Sequence, residues 1–333
     1  MIIKLLKLLK YIFVDNLEYY KYYFPGQLKN SKRYNLDEEH VYPTGKNIDK
    51  LFEMHVKNDL RIFNEVSLRL ASIGTCFAEE FSKYISTQHK YLEYIKTEDN
   101  VFYASANWGR VYTLPNLQQI IEYSLTNKHN VLIEQSKTKG FFDPFREYSV
   151  GYKKNHNEAS ESIIKHREAS RYVFLNAQIL VITLGLSEGW VDNIEKIVWA
   201  AAPLSYNFND ENTNRFTYSE FSYSKNISCL DEIINTLTKC NPKIKIIITV
   251  SPVAAFATFT QNNIITQSFA GKCTLRAVVH DIIKKHKGCV YYFPSFEMVL
   301  CKNQSSFTSD NRHVKKMKIR SIFKVFDKVL KDK

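Results

Sequence analysis

The sequence predicts an α/β protein, a three-layer α/β/α sandwich built on a mostly parallel central sheet. Three observations carry that prediction. From Glu65 onward the chain repeats a strand, loop, helix pattern, with apolar periods near two alternating with periods near 3.6. Turn and cap signals fall between those stretches. The 333 residues are enough to bury a large core in one extended domain.

The elements follow in order. Residues 66–73 (Val-Ser-Leu-Arg-Leu-Ala-Ser-Ile) alternate apolar with small or polar side chains, as a strand does. Phe77, Phe81, Tyr84 and Ile85 then recur at helical spacing, predicting a helix over 77–86. Thr113 followed by Pro115 marks the start of a helix over 114–125. Further strands are expected at 178–184, 243–250 and 289–293, and further helices at 230–239, 273–286 and 314–330. Asn241-Pro242 closes the third of these five helices and leads into the next strand. Residues 126–177 and 191–228 show no clear periodicity. They are expected to be insertions over the carboxyl edge of the sheet, where a lid or an acceptor site would sit.

The main domain is expected to span 61–333, preceded by a lead-in over 1–60. From Met1 to Phe13 apolar residues are interleaved with Lys4, Lys7 and Lys10, which interrupt what a signal peptide would keep apolar. This amphipathic stretch fits two roles: lying in an anionic membrane surface, or docking onto protein. No run approaches the length of a spanning helix. The net charge of +12 calls for an anionic partner, among them membrane lipid, nucleic acid, a phosphorylated cofactor or an acidic polysaccharide. No RNA-binding signature or zinc-finger spacing accompanies the charge, which counts against nucleic acid. The six cysteines show no CxxC pairing, the usage of a reducing cytoplasmic compartment, and no metal site is expected.

Two short stretches carry candidate chemistry. Gly74-Thr75-Cys76 joins a strand to a helix and places Cys76 in the helix's first turn. There the unpaired N–H groups and the positive end of the helix dipole favour a thiolate. Far downstream, Asp310-Asn311-Arg312-His313 is an Asp-x-x-His on a loop. Its carboxylate can hold one imidazole tautomer and stabilise the imidazolium. Taken alone, Cys76 fits a buried structural thiol, and Asp310 fits a helix cap with His313 solvated. Taken together they supply an attacker, a base and an orienter.

In this arrangement the chain resembles a known family. Gly74-Thr75-Cys76-Phe77-Ala78 is similar to the Gly-Ser-Cys-Phe-Ala motif of the GSCFA family, which is placed by similarity in the SGNH/GDSL hydrolase-like superfamily. Family-like pieces follow in order: Asn107 to Thr113, Phe142 to Arg146, Thr183 to Trp190, Ser251 to Val253, Lys272 to Arg276, Tyr292 to Glu297, and Asp310 to His313. The resemblance implies an SGNH-like fold and acyl-ester chemistry, with Cys76 as nucleophile, His313 as base and Asp310 as orienter. It further implies an oxyanion site from the Cys76 N–H, Gly109, Asn107 and Ser187. Thr75, Glu188, Arg146 and Arg276 are left as substrate-binding candidates. The chain departs from the superfamily pattern at the nucleophile, a thiol, and at 185–188, where Gly-Leu-Ser-Glu replaces Gly-x-Asn-Asp. The expected activity is acyl transfer, an acetyl group passing from acyl-coenzyme A to a surface-polysaccharide hydroxyl at the inner face of the bacterial inner membrane. Sugar-ester hydrolysis and a non-catalytic polysaccharide-assembly scaffold are the alternatives.

Overall fold

The structure, a computed structural model, describes residues 40, 42, 48–59, 68–88, 92–98, 104–126, 128, 130–208, 214–301 and 306–331. The stretch from Met1 to Phe13 lies outside them. The chain divides into two compact units, Met1–Asn58 and Asp59–Lys333. Helix α1 (Ile48–Asp59) stands at the end of the first, within the lead-in.

The second unit runs β1 (Leu68–Gly74), α2 (Cys76–Gln88), β2 (Leu92–Tyr94), α3 (Leu114–Leu125), β3 (Glu134–Ser136), β4 (Gly140–Phe142) and α4 (His156–Asn176). It continues with β5 (Ile179–Leu184), β6 (Glu188–Asp192), β7 (Ile197–Val198), β8 (Phe216–Glu220) and α5 (Tyr223–Cys240). It ends with β9 (Lys245–Val250), α6 (Ile264–Lys285), β10 (Val290–Tyr292), α7 (Ser295–Leu300) and α8 (Lys316–Lys331).

Five strands form a parallel sheet in the order β2-β1-β5-β9-β10. The chain steps from β1 outward to β2, then crosses back over β1 to β5 and continues to β9 and β10. Right-handed crossovers therefore put α2 on one face and α3 to α6 on the other. The packing agrees. α3 lies against α4 and α5, and α5 against α6, while α2 meets α8 and α8 meets α7. Alternate strand residues serve the two faces. Ala71, Ile73, Leu180, Ile182, Ile246 and Ile248 join the core beneath α3, α5 and α6. On the other face Ser72 bonds Ser82 of α2 (2.5 Å), and Thr249 bonds Ser295 of α7 (2.6 Å).

The α2–α8 contact is aromatic. Phe323 lies 5.4 Å from both Phe77 and Phe81 and 5.3 Å from Tyr84 between ring centroids. Phe326 meets Phe81 edge-on at 4.9 Å and Phe293 at 5.3 Å. Sequence periodicity finds four of the five sheet strands and the helices α2, α3, α5, α6 and α8. It finds α5 and α6 too short at their amino-terminal ends, where the polar caps Ser222 and Asn263 open them.

The two aperiodic stretches hold more structure than expected. Residues 126–177 include α4, whose buried positions Ala159, Ile163, His166, Ser170, Val173 and Phe174 recur at helical spacing. His166 and Ser170 break the stripe for any purely apolar reading, so α4 joins a helical layer unannounced. Residues 191–228 contribute to a three-stranded antiparallel sheet, β7-β6-β8, and to the first turn of α5. This small sheet follows β5 directly and so stands beyond the carboxyl edge.

Candidate active site

The strand order reverses direction between β1 and β5. In an open parallel sheet the carboxyl ends at such a switch point frame a crevice between crossovers that leave on opposite faces. Cys76 is two residues past the end of β1, and Gly185 is one past the end of β5. Between them runs an extended segment of the chain. Val111 N–H donates to Gly74 O at 2.9 Å, and Gly185 and Leu186 N–H donate to Tyr112 O at 3.2 and 2.8 Å.

The turn into α2 is tightly built. Gly74 has φ +143°, and a side chain there would strike Thr183 O. Thr75, buried, caps α2: its Oγ1 accepts from Phe77 N–H (3.3 Å) and its carbonyl from Glu79 N–H (3.2 Å). A Cβ on Gly185 would stand 2.5 Å from Thr75 Cγ2, so the two turns touch.

Cys76 itself is partly buried. Its place at a helix start predicts a lowered thiol pKa, but burial pushes the thiol up. Arg110 and Lys272 pull against burial, and Glu79 adds to it. Arg110 reaches Glu79 at 3.4 Å and Glu147 at 3.7 Å. Lys272 is 4 % exposed and donates to Gly185 O at 2.6 Å, and burial brings its pKa down to about 7. Arg110 and Lys272 are the two cations acting on Cys76 that the sequence assignments leave out. Lys272 does carry a signal, because it shares the buried stripe of α6 with Leu275, Val279 and Ile282.

Asp310 and His313 form a local pair. His313 Nδ1 bonds Asp310 Oδ2 at 2.5 Å. Asp310 also accepts from the Thr308 hydroxyl (2.6 Å) and from the N–H groups of Arg312 and His313 (both 3.0 Å). These bonds, Thr308 foremost, hold its carboxyl well below the usual range. The Arg312 guanidinium donates to Ala254 O at 3.3 Å and covers the Phe256 ring at 5.2 Å. That anchors the loop to the segment leaving the carboxyl end of β9, the sheet edge on which Cys76 also lies.

The other candidates are placed as follows. Gly109 has φ +72°, and a Cβ there would stand 2.5 Å from Glu147 Cβ. Asn107 accepts Arg146 Nε on its carbonyl (2.8 Å), while its buried Oδ1 has no hydrogen-bond partner. Ser187 is buried, and a Cβ on Gly271 would meet its Oγ at 2.6 Å, so its hydroxyl faces α6. The Glu188 carboxylate accepts from Thr258 and Gln267, both at 3.1 Å. Arg146 is buried, and its charge acts on Asp143 and Glu98. Arg276 donates to Glu297 at 2.6 Å and stacks over Tyr292 at 4.1 Å. Arg146 is thus held inside the fold, whereas the Arg276 side chain, paired with Glu297, is 32 % exposed.

Comparison with known proteins yields one family and several distant folds. No curated protein matches the chain. Among solved structures it is similar to a carbohydrate esterase family 3 from Talaromyces cellulolyticus, with 8% identity, 78% of this chain and 94% of that chain covered, and a TM-score of 0.36. It is also similar to a family two carbohydrate esterase from Clostridium thermocellum solved in complex with cellohexaose. There the identity is 13%, 79% of this chain and 62% of that chain are covered, and the TM-score is 0.30. The GSCFA family matches residues 69–326, a span that takes in the Cys76 turn, the crevice and the Asp310–His313 loop, and the chain belongs to that family.

Proposed function

We propose that this GSCFA protein is an acyl-ester-acting enzyme that carries the acyl group on Cys76. The observation that supports this most is the placement of a partly buried thiol, beside two cationic side chains, at the switch point of a parallel sheet. The Cys76 sulfur attacks the ester carbonyl carbon while the thiol proton passes to a base, for which His313, oriented by Asp310, is the candidate. Negative charge on the carbonyl oxygen is met by backbone N–H donors at the start of α2, with the Gly109 N–H as the second candidate. The C–O bond then breaks, the leaving alkoxide takes the proton from the imidazolium, and a thioester remains on Cys76. Water, or a second hydroxyl, attacks that thioester and restores the thiol, giving hydrolysis or transfer.

A saccharide is the proposed alcohol. Its support here is an aromatic cluster: Trp190, Tyr218 and Phe259 lie within 5.1–5.3 Å of one another beyond the carboxyl edge.

The test is turnover of p-nitrophenyl acetate and of an O-acetylated oligosaccharide, with acetyl-coenzyme A as a separate donor arm. Cys76→Ala is expected to lower kcat/KM by about a thousandfold or more, and His313→Ala by about a hundredfold or more. Undiminished turnover in Cys76→Ala overturns the assignment. Acetyl transfer from acetyl-coenzyme A, with no hydrolysis of either ester, would make the enzyme a transferase rather than an esterase.

A further inference from the structure

A buried lysine without a carboxylate partner is costly, and such groups gather at functional sites. Among the described residues no carboxylate pairs with Lys272, whose Nζ has the Gly185 carbonyl as its hydrogen-bond partner. The other cation acting on Cys76, Arg110, is shared with two carboxylates, Glu79 and Glu147. Its charge is thereby largely balanced, whereas that of Lys272 is not.

The geometry around Lys272 leaves little room for another role. Gly271 packs against Ser187 so closely that a Cβ would come within 2.6 Å of its hydroxyl. This brings the helix carrying Lys272 down onto the turn after β5. Gly185, whose carbonyl Lys272 holds, is in turn in contact with Thr75, the residue before Cys76. Lys272 thus secures one wall of the crevice, and its charge acts on the thiol beside that wall.

We propose that Lys272 is the charge-compensating partner of Cys76, an assignment that rests on Cys76 being the nucleophile proposed above. The thiol proton passes to the base named above, and the positive charge of the protonated Lys272 amine, balanced by no carboxylate, acts on the thiolate left behind. The buried lysine is a positioning residue that makes the thiolate tolerable where burial alone would suppress it. The charged groups acting on that thiolate come from three elements: Glu79 on α2, Arg110 ahead of α3, and Lys272 on α6.

The experiment is alkylation of the full chain by iodoacetamide across pH 6 to 9, read as the rate at the Cys76 peptide by mass spectrometry. The exposed Cys273, next in sequence to Lys272, is the internal control. In Lys272→Met the Cys76 rate at neutral pH is expected to fall about tenfold, and its pH midpoint to rise by about one unit. Lys272→Arg, which keeps a fixed charge, is expected to hold the midpoint at or below the wild-type position. An unmoved midpoint in Lys272→Met overturns the proposal.

Should Lys272→Met fail to fold, Cys76→Ala supplies the reciprocal measurement. Loss of the thiolate is expected to lower the Lys272 midpoint, followed by the NMR shift of its Cε in lysine-labelled protein, and an unchanged midpoint overturns the pairing. Neither readout uses a substrate, so a failure here leaves the turnover test of Cys76→Ala standing on its own.

Discussion

Gly185 shows how little space the crevice allows. A methyl group there would come within 2.5 Å of Thr75 Cγ2 and 2.9 Å of Tyr112 O. Gly185→Ala is therefore expected to displace the Cys76 turn, cost about 1–3 kcal/mol of stability and reduce turnover at least tenfold; urea unfolding and initial rates check both. His166 makes a pH prediction at the same scale. It is buried, bonded to Glu98 at 2.8 Å, and burial lowers its pKa to about 4. Between about pH 4 and 6.5 the unfolded chain then binds more protons than the folded one, so this group adds stability as pH rises through that window. Buried Asp143, raised to about 6, acts in the opposite sense between 3.8 and 6. The difference between wild type and His166→Asn isolates the first effect, and is expected to grow by up to about 3 kcal/mol across the window. Legibility also divides at this scale. Cys76, Asp310 and His313 are readable because each belongs to a short local motif. Lys272 is not, since a lysine on a helix is solvated by default and only its register with Leu275, Val279 and Ile282 marks it as buried.

Among elements, α8 links the two candidate motifs. It follows the Asp310–His313 loop directly, and its Phe323 meets Phe77, Phe81 and Tyr84 on the helix that begins at Cys76. These contacts, with Phe326 against Phe81, tie together the two helices that flank the proposed nucleophile and base. Phe323→Ala is expected to destabilise the protein by about 3–5 kcal/mol and to lower kcat along with it; thermal unfolding and turnover below the transition give the two readings. The helices whose faces are continuously apolar or well capped were legible as elements. The strand β2 was not, since none of its three residues is buried and Glu93 interrupts it, and α4 was not, because its buried face includes a histidine and a serine. The small sheet β7-β6-β8 escaped for another reason. Its pattern is broken by Asp192, which is buried but satisfied by Arg215 at 2.7 Å.

For the molecule as a whole, alternation of strands and helices was enough to predict a parallel sheet between helical layers. It was not enough to predict the strand order, which depends on non-local pairing. That order decides the function proposed here, because it puts the reversal between β1 and β5 and so defines one crevice among several loop clusters. Cys76, Arg110, Gly185 and Lys272 come from four separate segments, and only the fold makes them neighbours. Among the described residues no helix is long and apolar enough to cross a membrane. The central claim is that the acyl group resides on Cys76 during turnover. Rapid acid quench of the full chain with p-nitrophenyl acetate, followed by peptide mass spectrometry, tests this most directly. One acetyl group on the Cys76 peptide, released by neutral hydroxylamine and absent in Cys76→Ala, is the predicted result. Turnover that proceeds with Cys76 unmodified and survives its replacement by alanine would contradict it.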